Sequence, residues 1–191
     1  FDVIYFKLRR LVALNISELK QGNPSGERTS LELKTHELLR KLDIYYEWVD
    51  NDEVSSMEEC AEISEKLGVE IRKSIFLCNR QKTMFFLLVM PAKQAFDTKV
   101  FSAALNVPRL SFASGELMEE YLGVLPGNAS VMSLINDKDN RVQLVIDDEV
   151  AKNDWFGCNP GVNTSHLKIK TNDLIDKFLP YINHKPTIIS L

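Results

Sequence analysis

No uninterrupted apolar run in these 191 residues extends beyond Met84 to Met90, far short of the roughly 20 residues a helix needs to cross a bilayer. A membrane-spanning protein is not expected. The N-terminal segment FDVIYFKLRRLVALNISELK sets Lys7, Arg9 and Arg10 inside its apolar part, a layout unlike a secretory signal, so the expected location is the cytoplasm. Cysteine is scarce. Cys60, Cys78 and Cys158 are widely spaced, without a C-x-x-C pair or a histidine at metal-ligand spacing; they read as reduced, packed thiols, and no metal or organic cofactor is implied. Neither G-x-G-x-x-G nor a P-loop is present, which disfavours a doubly wound nucleotide-binding fold. Internal repeats and low-complexity segments are absent as well.

Recognisable catalytic constellations are also missing. His36 falls on an expected surface helix, His166 begins a strand and His184 follows the last helix, none beside a serine or cysteine in a nucleophile setting. Asp147-Asp148 reads as a solvated strand-end turn rather than a glycosidase pair. The formal charge of -4 argues against a protein that coats nucleic acid nonspecifically. Charge is nevertheless uneven: Arg72, Lys73, Arg80, Lys82, Lys93, Lys99 and Arg109 fall in one central stretch, between acidic stretches at 50–65 and 147–154. A mixed, solvated surface accounts for that pattern without invoking a partner.

What remains is an ordinary globular balance, 45% apolar and 26% charged. Apolar spacing predicts a helix from Tyr5 to Lys20, then a linker, QGNPSGERTS. Thr29 and Glu32 have capping-box spacing ahead of a stripe at Leu31, Leu38, Leu39 and Leu42, and a second helix runs from Ser56 toward Gly68. Between them IYYEWV has strand content. Strands at about Ser74 to Cys78 and Met84 to Met90 form a hairpin across the polar loop Asn79 to Thr83. Short helices are expected in FDTKVFSAALNV and SGELMEEYLG, and strands in PRLSFAS, SVMSLIND, RVQLVID and HLKIK. TNDLIDKFLPYI closes as a helix and TIISL as a strand. The expected class is α/β (α+β), a mixed, largely antiparallel central sheet flanked by helices, with residues 1–30 as a helical extension and linker and 31–191 as the main domain. Ile4, Leu8, Leu11 and Leu14 would need an apolar partner, either the domain or a second copy.

Three polar islands interrupt this pattern: Lys73-Ser74, the turn Pro126 to Ser130, and GCNPGVNTS from Gly157 to Ser165. In order with RKSIFLCNRQKTMFFLLVMPA, RLSFAS, EEYLGVLPGNAS, LINDKDNRVQLVIDDEV, FGCNPGVNTSHLKI and KFLPYINHKP, they make the chain resemble the YbaK-type family. These are the editing domains associated with prolyl-tRNA synthetase, which deacylate mischarged aminoacyl-tRNA. The resemblance spans about Leu31 to Leu191 and is greatest to free-standing members that hydrolyse alanyl-tRNA(Pro). It implies an RNA ester as substrate, mischarged tRNA(Pro) and prolyl-tRNA synthetase as partners, no cofactor, no membrane, and a monomer or homodimer.

Carried over by position, Lys73 matches the family's essential lysine and Ser74 its neighbour. An ammonium there would pair with the terminal phosphate or polarise the ester carbonyl; a neutral amine acting as base is the other option. The cationic role is favoured on the expectation that Arg72 faces solvent. Gly127, Asn128, Ala129 and Ser130 match the Gly-x-x-x-Pro loop, whose N–H groups contact the substrate, with Val131 in place of the proline. Asn159-Pro160 stands where the family commonly has histidine before proline. A carboxamide holds but does not take a proton. Asn163 and Thr164 match a polar pair assigned to the pocket lining, and Phe112 and Met132 are candidates for a wall that selects alanine by size. Two other readings stay open: a binding module without chemistry, and editing of another small aminoacyl group such as cysteinyl or seryl.

Overall fold

The structure, a computed structural model, describes residues 14–191. Helix α1 (Ser30–Lys41) starts on the predicted capping box: the Glu32 N–H donates to the Thr29 hydroxyl at 3.2 Å, and the Thr29 N–H donates to the Glu32 carboxylate at 2.9 Å. Such a cap contributes about 1 kcal/mol. Strand β1 (Tyr46–Asp50) and helix α2 (Cys60–Leu67) follow, the latter ended by Gly68 at φ 65°, a left-handed position that costs glycine nothing. The hairpin of β2 (Lys73–Asn79) and β3 (Phe85–Met90) pairs Lys73 with Met90 and Cys78 with Phe85. Then come α3 (Thr98–Ala104), β4 (Leu110–Phe112), α4 (Gly115–Leu122), a 3-10 helix (Val131–Asn136), β5 (Val142–Asp147), α5 (Asp148–Lys152), β6 (Trp155–Cys158) and β7 (Ser165–Lys170). A closing helical segment, α6 (171–181), is π-helical over Leu174–Phe178, and β8 (Thr187–Ile189) ends the order.

Five strands form a sheet in the order β4-β2-β3-β5-β8, and three form another, β1-β7-β6. Of the six strand pairings, four are antiparallel and two, β3 with β5 and β5 with β8, are parallel. The fold is therefore mixed, largely antiparallel α/β, with helices flanking the sheets. β2 and β3 carry near-continuous apolar runs because both of their faces are covered. Phe76, Cys78, Phe85, Leu87 and Val89 face the main core, beneath α1, α4 and the 3-10 helix, whereas Ile75, Leu77, Phe86, Leu88 and Met90 face a second core closed by Phe101 of α3. A third cluster joins α2 to β1 through Ile63, Leu67 and Val49. Among the described residues no helix is long and apolar enough to cross a membrane.

Several expectations need correction. Residues 14–20 are extended, not helical, with bridges Ile16↔Asn51 and Lys20↔Trp48 laying them along β1; the Tyr5–Ala13 part of the predicted helix lies outside the described residues. A hydrogen bond from Lys20 Nζ to Asp50 at 2.6 Å and packing of Leu14 on the third cluster override the helical spacing. Helix α2 starts at Cys60 because Ser56–Glu59 closes only a turn. The predicted strand SVMSLIND is the 3-10 helix: Ser130 and Ser133 cap each other's backbone, and local side-chain bonds displace ladder pairing. Strand β6 has no counterpart in the sequence reading. His36 is 1% exposed, not on the surface, with its Nδ1 3.1 Å from the Tyr46 hydroxyl. Asp147 is buried rather than solvated and accepts from the Glu149 N–H as the N-cap of α5.

Candidate active site

The two sheets share the main core, and among the described residues one backbone bridge joins them. Ile71 bridges Gly157 in parallel, and the Arg72 N–H donates to the Gly157 carbonyl at 2.9 Å. Gly157 is required by the close approach: a Cβ there would lie 2.8 Å from the Glu70 carbonyl oxygen. Continuing that register would set Lys73 beside Asn159, but the chains part. Lys73 enters β2, and Asn159 turns into the 159–164 loop. β3 occupies one edge of β2; the other is held at Arg72 by Gly157 and, from Phe76 onward, by the Ala113 N–H and β4. Between Arg72 and Phe76 that edge is open for about 10 Å, and the Ser74 N–H and C=O, which point to it, have no partner among the described residues.

Two polar loops meet beside this fork. The Ser130 hydroxyl, fully buried, donates to the Asn159 carbonyl at 2.6 Å and accepts from the Met132 N–H at 3.2 Å. Asn159 Oδ1 accepts from the Gly161 N–H at 2.8 Å, whereas Asn159 Nδ2 has no partner among the described residues. Pro160 is buried behind it. Gly161 has φ +97°, and a Cβ there would lie 2.3 Å from Leu31 Cδ2, so α1 fixes the far side of the turn. In the other loop the Asn128 N–H is spent on the Leu125 carbonyl and the Ser130 N–H on the Ser133 hydroxyl. That leaves the N–H groups of Gly127, at φ +92°, and Ala129 uncommitted among the described residues. Asn128 Oδ1 is buried and has no partner among the described residues.

The candidate residues divide between two faces of β2. Ser74 pairs with Val89 and points to the main-core side, shared with Val131, Met132 and Cys158 at the roots of both loops. Lys73 pairs with Met90 on the opposite side, half-buried, and its ammonium donates to the Gln94 carbonyl at 2.7 Å. Gln94 in turn donates to the Leu191 carbonyl at 3.1 Å. Phe112 pairs with Leu77, also on that side; it is 65% exposed and meets Phe96 edge to face, while Met132 is wholly buried in the main core. The two do not share a wall. Asn163 turns inward: its Nδ2 donates to the Val54 carbonyl at 2.8 Å, and its carbonyl accepts from Asn51 Nδ2 at 2.9 Å. The Thr164 carbonyl accepts from the Asn51 N–H at 3.0 Å, and its side chain is exposed.

Arg72 does not face solvent. It is 8% exposed, paired with Glu70, and donates to the Trp155 carbonyl. This removes the argument that a solvent-facing Arg72 favours charge on Lys73. Gln94 and the braces Asn51 and His166, 2.8 Å apart, escaped the sequence reading, since no motif marks a residue that acts through a backbone carbonyl or behind a loop. Burial pushes His166 down to about 4. Burial, with Arg28 nearby, does the same to His36. Burial raises Cys158 to about 12, which leaves that thiol protonated and unreactive. Among the described residues no cluster of histidine, cysteine and carboxylate groups is placed to hold a metal ion.

The aminoacyl-tRNA editing domain model matches residues 51–177, which include the fork and both loops. The chain belongs to the aminoacyl-tRNA editing domain family. Membership assigns this YbaK-type domain to aminoacyl-tRNA editing as a class of function. The chain is 26% identical over 136 residues to the prolyl-tRNA editing protein ProX of Acetoanaerobium sticklandii, covering 71% of this chain and 83% of that protein. It is 26% identical over 171 residues to prolyl-tRNA synthetase associated domain-containing protein 1 of Danio rerio, covering 88% and 92%. Two solved structures share the fold. One, a hypothetical protein, has a TM-score of 0.60 at 16% identity, covering 75% of this chain and 92% of that one. The other, named as a candidate trans-editing enzyme for prolyl tRNA synthetase, has a TM-score of 0.61 at 12% identity, covering 86% and 99%.

Proposed function

We propose that this editing domain hydrolyses mischarged alanyl-tRNA(Pro) in trans, acting on tRNA released by prolyl-tRNA synthetase. The open edge at Ser74, flanked by the linked Gly127 and Asn159 loops, carries the reading, and the prolyl-tRNA names of two relatives support the choice of tRNA. The aminoacyl ester lies along the edge. A water oxygen attacks the carbonyl carbon, the carbon–oxygen bond to the ribose breaks, and the ribose oxygen takes the proton through its vicinal hydroxyl. Free alanine and tRNA leave.

The Gly127 and Ala129 N–H groups meet the developing oxyanion, where one well-placed donor contributes roughly 3 to 4 kcal/mol. Lys73 exchanges the Gln94 carbonyl for the terminal phosphate or the ester carbonyl; on the phosphate both partners are charged, which makes that contact stronger than the one to a neutral carbonyl. Asn159 Nδ2 and Ser74 orient the amine and ribose, while Pro160, Asn163 and Thr164 keep the loop in place. Alanine is accepted and proline excluded by the width of the fork, because affinity distinguishes a methylene by only about 1 to 3 kcal/mol.

Single-turnover deacylation of alanyl-tRNA(Pro) by wild type and Lys73→Ala is the direct test. A fall of about 100-fold or more is expected, and equal rates would take Lys73 out of the mechanism. The same assay with cysteinyl- and seryl-tRNA fixes the acyl group. A binding module without chemistry is favoured by one observation: all three histidines are buried, none at the fork, and Asn159 Oδ1 is occupied by Gly161. Activity that emerges only in Asn159→His would establish that reading instead.

A further inference from the structure

At the other end of β2, some 20 Å from Lys73, a groove of about 450 Å³ opens between the hairpin tip, β4 and the start of α4. Arg80, Lys82 and Arg109 line it, all exposed, and no carboxylate does. Among the described residues none of the three has an acidic partner within ion-pair distance. In a chain of net charge -4, three unpaired cations around one hollow are a local reversal of field.

The backbone that carries Arg80 and Lys82 is a fixed turn. Buried Asn79 accepts from the Thr83 N–H at 2.8 Å and the Met84 N–H at 3.1 Å, and the Lys82 N–H closes on the Asn79 carbonyl at 3.0 Å. This holds Lys82 at φ +55°, a conformation costly for lysine outside a fixed turn. Beside them stands Phe112, held edge-on by Phe96 at 5.8 Å between ring centroids, with 65% of its surface exposed. A flat, anchored aromatic face among unpaired cations matches single-stranded nucleic acid, whose bases stack while its phosphates meet the cations. The groove also leads toward the candidate site: Ser114 lines it, and a Cβ on the adjacent Gly115 would lie 2.9 Å from Pro126, the neighbour of Gly127.

We propose that this groove binds the single-stranded 3′ end of the tRNA, with a base on Phe112 and phosphates on Arg80, Lys82 and Arg109, and the acylated nucleotide continuing toward the Gly127 loop. The proposal rests on the tRNA-editing reading, but its test needs no catalysis. Anisotropy titrations use an uncharged single-stranded RNA ending in CCA, a blunt RNA duplex and polyglutamate. Wild type is expected to favour the single strand. The Arg80→Ala/Lys82→Ala/Arg109→Ala variant should bind it at least tenfold more weakly at low salt, with the slope of log affinity against log salt shallower by about 2, from about 0.7 per phosphate contact. Phe112→Ala should cost about tenfold with the slope unchanged. Removing three exposed lysines elsewhere, Lys34, Lys152 and Lys177, should leave affinity as in wild type.

An unchanged affinity in the triple variant overturns the proposal, as does an equal loss in the lysine control, a preference for the duplex, or equal binding of polyglutamate. A protein that binds the single strand as described yet deacylates no aminoacyl-tRNA keeps the groove and loses the catalytic reading. One that deacylates while the triple variant binds normally does the reverse.

Discussion

Ser130→Ala tests whether the two loops of the candidate site are held as a unit. The hydroxyl is fully buried, donates to the Asn159 carbonyl at 2.6 Å and caps the 3-10 helix by accepting from the Met132 N–H. Its loss removes a cap, about 1 kcal/mol, and leaves the Asn159 carbonyl without a donor, about 1 kcal/mol at this half-buried position. The Ser133 hydroxyl still bonds both the Ser130 N–H and carbonyl, so the helix start survives in part. A loss of about 2 kcal/mol lowers Tm by about 4 to 8 °C in a chain of this size, and urea titration should show a lower midpoint at unchanged m. Deacylation measured well below Tm should fall by about 10- to 100-fold, since displacements near 1 Å at a reacting centre have that effect. Ser133→Ala provides the contrast: it weakens the same helix start without touching Asn159, so it should lose similar stability and keep its activity. Two outcomes would refute the reasoning, a stability loss below about 0.5 kcal/mol in Ser130→Ala, or equal activity losses in both variants.

Stability should fall as pH drops from about 6.5 to about 4. His36 and His166 stay neutral in the fold down to about 4 but protonate near 6.5 when unfolded, so the unfolded chain binds more protons across that window. Unfolding free energies from urea titration at pH 7 and pH 5 should differ by about 2 kcal/mol per histidine, and a flat profile would show the rings to be solvated. Gly161→Ala should cost about 3 kcal/mol, from the left-handed backbone and the contact with Leu31. Pairing it with Leu31→Ala should recover the steric share, and a purely additive double mutant would place the cost elsewhere. Burial raises the Cys60 thiol to about 11 and the Cys158 thiol to about 12. Neither should react with a thiol reagent at pH 8 until the chain unfolds, and rapid labelling of the native protein would contradict the packing.

Where one period controls a segment, its fate was legible. Thr29 and Glu32 specify the start of α1, and the apolar runs around Asn79–Thr83 specify the β2–β3 hairpin, because each is settled by neighbours in the chain. SVMSLIND reads as a strand by composition, yet two serines three apart close a local turn in place of strand pairing. Residues 14–20 carry helical spacing, but they have β1 to lie against and Asp50 to hold Lys20; the outcome is decided by a partner that spacing does not contain. The same division runs through the site. Lys73, the 126–130 turn and the Asn159 loop are marked locally, as polar residues inside apolar surroundings. What draws them together is not local: Gly157 is narrow enough to bring the two sheets into register at Ile71, and the sheets then diverge, leaving Ser74 on a strand edge without a partner among the described residues. An unpaired stretch inside a folded sheet carries hydrogen-bonding groups that water or a ligand must satisfy. The Ser130 bond to Asn159 holds both loops beside that edge, so the polar breaks and the gap in the ladder describe one feature: a segment where the fold leaves backbone hydrogen-bonding groups open, which is where the proposed function puts the ester.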